Sequence, residues 1–435
     1  MPSPTPSHLT RALRHRNYRL FFSGQSISLT GSWITRVATS WLVYRLTGSE
    51  LLLGVVGFCG QIPTLLLAPF AGVLVDRWDR QRLLVATQAL SMLQSLALGL
   101  LTLDHKITVG WVLGLQIVQG VINAFDTPGR QAFVVEMVDD RADLANAIAL
   151  NSSMVNGSRI IGPAIGGILI AAAGEGWCFL ADAISYLFVI VSLLMMRVRR
   201  SKALHAETEA HMLEELRTGF QYVVGSIPIR TSLIVLSIVS AMGMPYTVLM
   251  PAIAATILHG GPNTLGILMT ASGVGALAGA LYLASRRTVV GLGRVMLVAT
   301  LAFGGAMVAF AFARTLWLSM LLLPIVGAGF MVQLAATNTV LQTIVEDRLR
   351  GRVMAFYTMA FFGTAPIGSL VAGVAAARIG TEWTLAISGI LSIATGIWFA
   401  TQLPRIREVV RPIYVERGIL PVAPVAAVDS GSKTL

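Results

Sequence analysis

Charge is what this sequence has least of. Asp, Glu, Lys and Arg make up 12% of 435 residues, against about 25% in an ordinary soluble domain. With 55% of its residues hydrophobic, the chain has too little polar surface to cover a water-soluble globule of this size. Cysteine is nearly absent. Cys59 and Cys178 both fall in apolar stretches, which excludes a disulfide framework and a thiolate metal site. No Gly-Lys-Ser/Thr phosphate loop is found, which argues against direct drive by ATP. The six histidines are scattered and none pairs with another as ligands on a helix, so no metal and no cofactor are expected. Intramembrane Ser/His or His/Asp catalytic sets are also missing, and an enzyme is not expected. The first ten residues are polar and rich in Ser, Pro and Thr, with no short apolar region and small-residue cleavage site behind them. The expectation is that the first helix serves as its own insertion signal.

What is present is a series of long, unbroken apolar runs. Only helices and closed barrels satisfy their backbone groups in lipid, and a barrel would show roughly ten-residue alternating segments. The runs therefore predict an all-α integral membrane protein. Twelve spans of about 20 residues are placed at 20–44, 51–75, 83–103, 107–129, 145–173, 177–196, 231–257, 263–285, 292–313, 315–341, 353–377 and 383–403. The net charge of +11 does not point to nucleic acid, because the basic residues sit in short clusters between spans. With the N-terminus inside, 26 of the 32 Lys and Arg fall on the inner side, and Arg45, Lys106, Arg314 and Arg378 alone in outer loops. Such a bias predicts cytoplasmic termini and a place in the cytoplasmic membrane.

The organisation reads as a cytoplasmic segment 1–19, a six-helix half 20–196, a central loop 197–230, a second half 231–403 and a disordered cytoplasmic tail 404–435. In the loop, Leu213, Leu216, Phe220, Val223 and Val224 mark one face of an amphipathic helix on the inner leaflet. The halves repeat each other: Val138-Asp139-Asp140-Arg141 recurs as Val345-Glu346-Asp347-Arg348, and Gly162 and Gly167 recur as Gly368 and Gly373. A parallel repeat of six helices is a transporter signature.

Three motifs carry a family resemblance. Gly72, Asp76, Arg77, Arg80 and Arg82 between spans two and three resemble the signature loop of the major facilitator superfamily, with Asp79 in place of its second glycine. Gly157, Gly162, Pro163, Gly166 and Gly167 in span five resemble that superfamily's antiporter motif, seen mainly in exporters. Gln116, Gln119 and Gly120 in span four resemble its Arg-x-x-Gln-Gly motif with the arginine replaced. The stretches Trp33 to Ser49 and Asp126 to Gln131 are similar to the enterobactin-exporter and macrolide-efflux branch. The resemblance implies two parallel-related six-helix halves in the major facilitator fold, a latch between halves at Asp76, a gate at the span-five glycines, and no enzymatic activity.

Charges inside spans are expensive and point to function or to internal pairing. Arg36, Arg159 and Asp182 fall at similar depths by helical rise, so an Arg–Asp pair is one expectation; Asp126 and Arg130 share a helix face as an i,i+4 pair. Polar and soft side chains expected to line a cavity are Gln25, Gln116, Gln119, Asn123, Met244, Tyr246, Gln333 and Asn338. They suggest a large, amphiphilic, weakly charged small-molecule substrate. The expected function is a monomeric, proton-coupled exporter of a drug-like or siderophore-like molecule working by alternating access. A lysophospholipid flippase, and a non-transporting receptor on the same scaffold, remain alternatives; the receptor would need a larger extra-membrane domain than 197–230 or 404–435 provides.

Overall fold

The computed structural model describes residues 10–138, 140–197, 212–286 and 288–421; Asp139 and the basic run Arg199, Arg200 and Lys202 lie outside them. Helices account for nearly all of the described chain, and no strand occurs in it. We number the long helices α1 (Arg16–Thr47), α2 (Glu50–Arg77), α3 (Arg80–Leu103), α4 (Val109–Val134), α5 (Leu144–Ala173), α6 (Glu175–Met195), α7 (Ile227–Ile257), α8 (Pro262–Ser285), α9 (Leu292–Ala311), α10 (Leu316–Ile344), α11 (Asp347–Ile379) and α12 (Thr381–Glu416). Eleven of them are long and apolar enough to cross a membrane by composition. The remaining one, α1, carries Arg36 and buries Gln25, Ser28 and Thr39. It packs against α5 and α6, and a helix enclosed by others need not be apolar all round. With α1 the count is twelve.

Local chemistry sets the helix ends. Ser49, Asp79 and Thr108 each accept a backbone N–H in the first turn of α2, α3 and α4, satisfying donors that a helix start leaves open. Asp79, the departure from the signature loop, is thus the N-cap of α3. The turns between α5 and α6 and between α11 and α12 fall on Gly174 (φ 87°) and Gly380 (φ 86°), in a region of backbone space that side chains rarely enter. These two glycines extend the internal repeat at the same spacing as Gly162 and Gly368.

The largest boundary difference from the sequence expectation is at the end of α12. α12 continues to Glu416, beyond 403 and into the tail expected to be disordered. Val410 and Tyr414 are buried, and Arg417 donates to the Val345 carbonyl at 2.9 Å, so packing continues after the apolar run stops. The amphipathic helix spans Met212–Gly225 and rests on α11 as well as presenting an outer face: Val223 is buried, and the Phe220 and Phe356 rings lie 6.2 Å apart.

The N-terminal stretch is tied to the start of α5. His15 Nε2 lies 2.9 Å and an Arg14 guanidinium nitrogen 2.7 Å from Asp143 Oδ2. The His15 hydrogen bond, ahead of the Arg14 charge, holds the Asp143 carboxyl below the usual carboxylate range. The tie is therefore complete at neutral pH and weakens only as pH falls through that lowered value.

Candidate functional site

The two halves meet mainly at two helix crossings. In one, α5 crosses α8: a Cβ added at Gly167 would lie 2.8 Å from the Pro262 carbonyl oxygen and 3.0 Å from the Gly266 Cα. In the other, α2 crosses α11: a Cβ at Gly54 would lie 2.6 Å from the Ser369 carbonyl oxygen and 2.8 Å from the Gly373 Cα. Real Cβ atoms do not approach backbone so closely, so both contacts require glycine. Each crossing pairs one glycine from each half, and Gly167 and Gly373 are repeat-related. The close approaches between halves at these glycines lie from mid-helix toward the end carrying Glu50, Ala173, Pro262 and Ile379.

The span-five motif divides its work. Gly162 and Gly166 face α1, not the other half: a Cβ at Gly162 would lie 2.3 Å from the Trp33 Cβ, and one at Gly166 would lie 3.3 Å from the Ile34 Cα. Gly167 faces α8. Gly157 meets nothing within 4 Å. α5 runs uninterrupted through Pro163, but Pro163 has no N–H for the Arg159 carbonyl one turn earlier. That carbonyl faces α8, where a Cβ at Gly273 would lie 3.0 Å away.

The signature loop is anchored within the first half. Arg80 pairs with Glu136, Gln81 donates to the Leu193 carbonyl at 2.6 Å, and Trp78 stacks on Phe125 at 6.3 Å. Arg77 and Arg82 are exposed. Gly72 and Asp76 belong to α2, and their side-chain surroundings fall outside the described residues.

Both intramembrane carboxylates are satisfied internally. Asp182 in α6 is buried and accepts from Thr35 Oγ1 at 2.8 Å, Ser95 Oγ at 2.8 Å and Ser185 Oγ at 3.3 Å, tying α1 and α3 to α6. Gly31 makes room, since a Cβ there would lie 2.6 Å from Asp182 Oδ1. The expected pairing of Asp182 with Arg36 or Arg159 is not formed. Asp126 accepts from Thr87 Oγ1 at 2.9 Å and Gln88 Nε2 at 2.8 Å, with Arg130 at 3.5 Å in the expected i,i+4 pair.

Arg36 and Arg159 instead converge on one aromatic ring. Their guanidinium carbons lie 4.5 Å and 5.9 Å from the Trp33 ring centre. Trp33 is not among the expected site residues; its signal in the sequence is the i,i+3 spacing to Arg36.

Of the expected cavity-lining residues, three turn into helix packing. Gln333 is fully buried and bonds Thr300 and Thr337. Tyr246 is buried against Ser272 at 2.9 Å, and Gln25 is buried as well. Gln333 through Thr300 and Tyr246 through Ser272 serve neighbouring helices, which is what a polar residue inside a bundle needs first. Gln116, Gln119, Asn123, Met244 and Asn338 remain half-exposed, with Gln119 donating to Ser91 at 3.3 Å and Asn123 at 3.1 Å.

Twelve helices in two repeated halves, meeting chiefly at two glycine crossings, have the architecture of a membrane transporter of the major facilitator type. The chain belongs to the transmembrane secretion effector family, whose model matches residues 8–413. It is 28% identical over 383 residues to the staphyloferrin A transporter of Staphylococcus aureus (strain NCTC 8325 / PS 47), covering 88% of this chain and 95% of that protein. It is 29% identical over 385 residues to the multidrug efflux pump Tap of Mycolicibacterium fortuitum, covering 87% and 93%. The fold matches the crystal structure of a bacterial homolog to the human lysosomal transporter Spinster in an inward-facing, unoccupied conformation. There the TM-score is 0.62 at 15% identity, over 94% of this chain and 99% of that one.

Proposed function

We propose that the protein exports a small amphiphilic molecule across the cytoplasmic membrane by alternating access, coupled to protons. The observation that carries this reading is the pair of glycine crossings. They hold the halves together by backbone contact from mid-helix toward one end. Two rigid halves with a compact, separable contact suit rocking about a central site. The names of the relatives, a staphyloferrin A transporter and an efflux pump, support export of a siderophore-like or drug-like cargo. The basic bias supports cytoplasmic termini, which makes the closed end the outer one. Among the outer basic residues, Arg45 pairs with Glu175, Lys106 with Asp104 and Arg314 with Glu382, so local acids offset charge that would oppose this orientation. The Asp76 loop would then lie at the cytoplasmic end, placed to latch the halves when that end closes.

Everted vesicles test the mechanism. Carrying the protein, they should accumulate a labelled siderophore or drug from a panel when acid inside, and lose that uptake when the pH gradient is collapsed. In the same protein, with Cys59 and Cys178 replaced by Ala, an Asn263→Cys label should be reached from outside intact cells and an Arg217→Cys label should not. Uptake indifferent to the gradient removes proton coupling; the reverse labelling pattern removes the orientation.

A further inference from the structure

The Arg36 side chain is exposed, and the charge acting on it is the like charge of Arg159. Among the described residues neither Arg36 nor Arg159 has an ion-pair or hydrogen-bond partner; each has only the Trp33 ring. The carboxylates within the first half's spans are engaged elsewhere, Asp182 by Thr35, Ser95 and Ser185, and Asp126 by Thr87, Gln88 and Arg130.

Two cations sharing one ring at membrane depth repel each other and lack counter-charge, an arrangement that proteins avoid unless something negative arrives. The placement is built into the backbone. Gly162 lets α5 close onto the Trp33 Cβ, and Arg159, one turn earlier on the same stripe, is thereby carried to the ring. Thr35 is fixed to Asp182 at 2.8 Å, which sets the azimuth of α1 and turns the next residue, Arg36, about 100° away from α6.

We propose that Arg36, Arg159 and Trp33 form the anchoring subsite for an organic anion, with a carboxylate or similar oxyanion between the guanidiniums and an apolar or aromatic body against the ring. This names the substrate class within the export reading and rests on it, and it replaces the weakly charged cargo expected from sequence. Planar guanidiniums suit oxyanions through paired, charge-assisted hydrogen bonds, and the indole face supplies an apolar wall.

The test uses the full chain in nanodiscs and two isosteric probes, 2-naphthoate and the neutral 2-naphthamide, with binding read by equilibrium dialysis. Naphthoate should bind about tenfold more tightly or better, a gap of about 1.4 kcal/mol or more. That ratio should fall toward one in the Arg36→Gln/Arg159→Gln double variant and be partly kept in Arg36→Lys, which retains charge without the fork. If the double variant does not fold, the unmodified protein still decides. Phenylglyoxal should modify Arg36 and Arg159, as mapped by mass spectrometry, and naphthoate but not naphthamide should protect them. Equal affinities in the unmodified protein, an unchanged ratio in the double variant, or protection by both probes alike overturns the proposal. Export is read separately, from cellular accumulation of labelled panel compounds. Naphthoate preference without any export leaves the subsite standing and removes the export reading; export with no naphthoate preference does the opposite.

Discussion

Gly167→Leu is expected to reduce transport by about tenfold or more while leaving the amount of protein in the membrane unchanged. The added side chain would strike backbone on α8, whose Pro262 carbonyl oxygen and Gly266 Cα lie 2.8 Å and 3.0 Å from where even a Cβ would sit. Overpacking of a tight contact destabilises by about 1–3 kcal/mol, and each 1.4 kcal/mol is roughly a factor of ten in population. The strain exists only while the closed end is closed, so the equilibrium shifts away from this state and the cycle stalls. Gly54→Leu, at the other crossing, should behave alike. Gly157→Leu is the control, because nothing lies within 4 Å of it. Vesicle transport rates decide the matter, together with thiol labelling of Thr270→Cys, which sits at the α5–α8 contact where Thr270 donates to the Ile160 carbonyl. Gly167→Leu transporting at the normal rate, with Thr270→Cys no more reactive than before, would remove this crossing from the gate.

Asp182→Leu is expected to be the most destabilising substitution in the first half, and Asp182→Asn far milder. The carboxylate collects hydroxyls from α1, α3 and α6 in a fully enclosed position. Leucine would leave the Thr35 and Ser95 hydroxyls without that acceptor, and a buried unsatisfied polar group costs about 1–3 kcal/mol. Ser185 is less affected because its hydroxyl also bonds the Asp182 backbone carbonyl at 2.7 Å. Asparagine keeps one oxygen acceptor. Thermal unfolding of the detergent-purified protein should show a large drop in midpoint for Leu and a small one for Asn. A Thr35→Val/Ser95→Ala background should shrink the penalty of Asp182→Leu, since the stranded hydroxyls are then gone. Equal midpoints for Leu and Asn would show that the hydroxyl cluster contributes nothing.

The span pattern was legible because the length of an apolar run is a one-dimensional property, and lipid thickness sets it directly. Side-chain partnership was not, because it depends on helix azimuth. Arg36 and Asp182 do reach similar depths, but Thr35, one residue and about 100° away, is the one turned toward Asp182. The span-five glycines show the same limit. Their spacing announced close packing, while adjacent Gly166 and Gly167 serve different neighbours, α1 and α8. Burial misled in the second half, where Gln333 and Tyr246 read as cavity polar groups but are consumed by Thr300, Thr337 and Ser272. The end of α12 was missed because an amphipathic continuation held by Val410, Tyr414 and Arg417 leaves no long apolar run to detect.

The two crossings also bear on origin. Gly167 meeting Gly266 and Gly373 meeting Gly54 are the same encounter made twice, once in each direction between the halves. That is the geometry of an isologous contact, in which one surface patch is its own complement across a two-fold axis. A single six-helix chain bearing one such glycine on its second helix and one on its fifth would need no partner of different sequence. It could close the same gate by dimerising with itself, and fusion of two copies would then free each half to diverge. The Trp33–Arg36–Arg159 cluster, built on one half alone, is the kind of asymmetry that only the fused chain can hold.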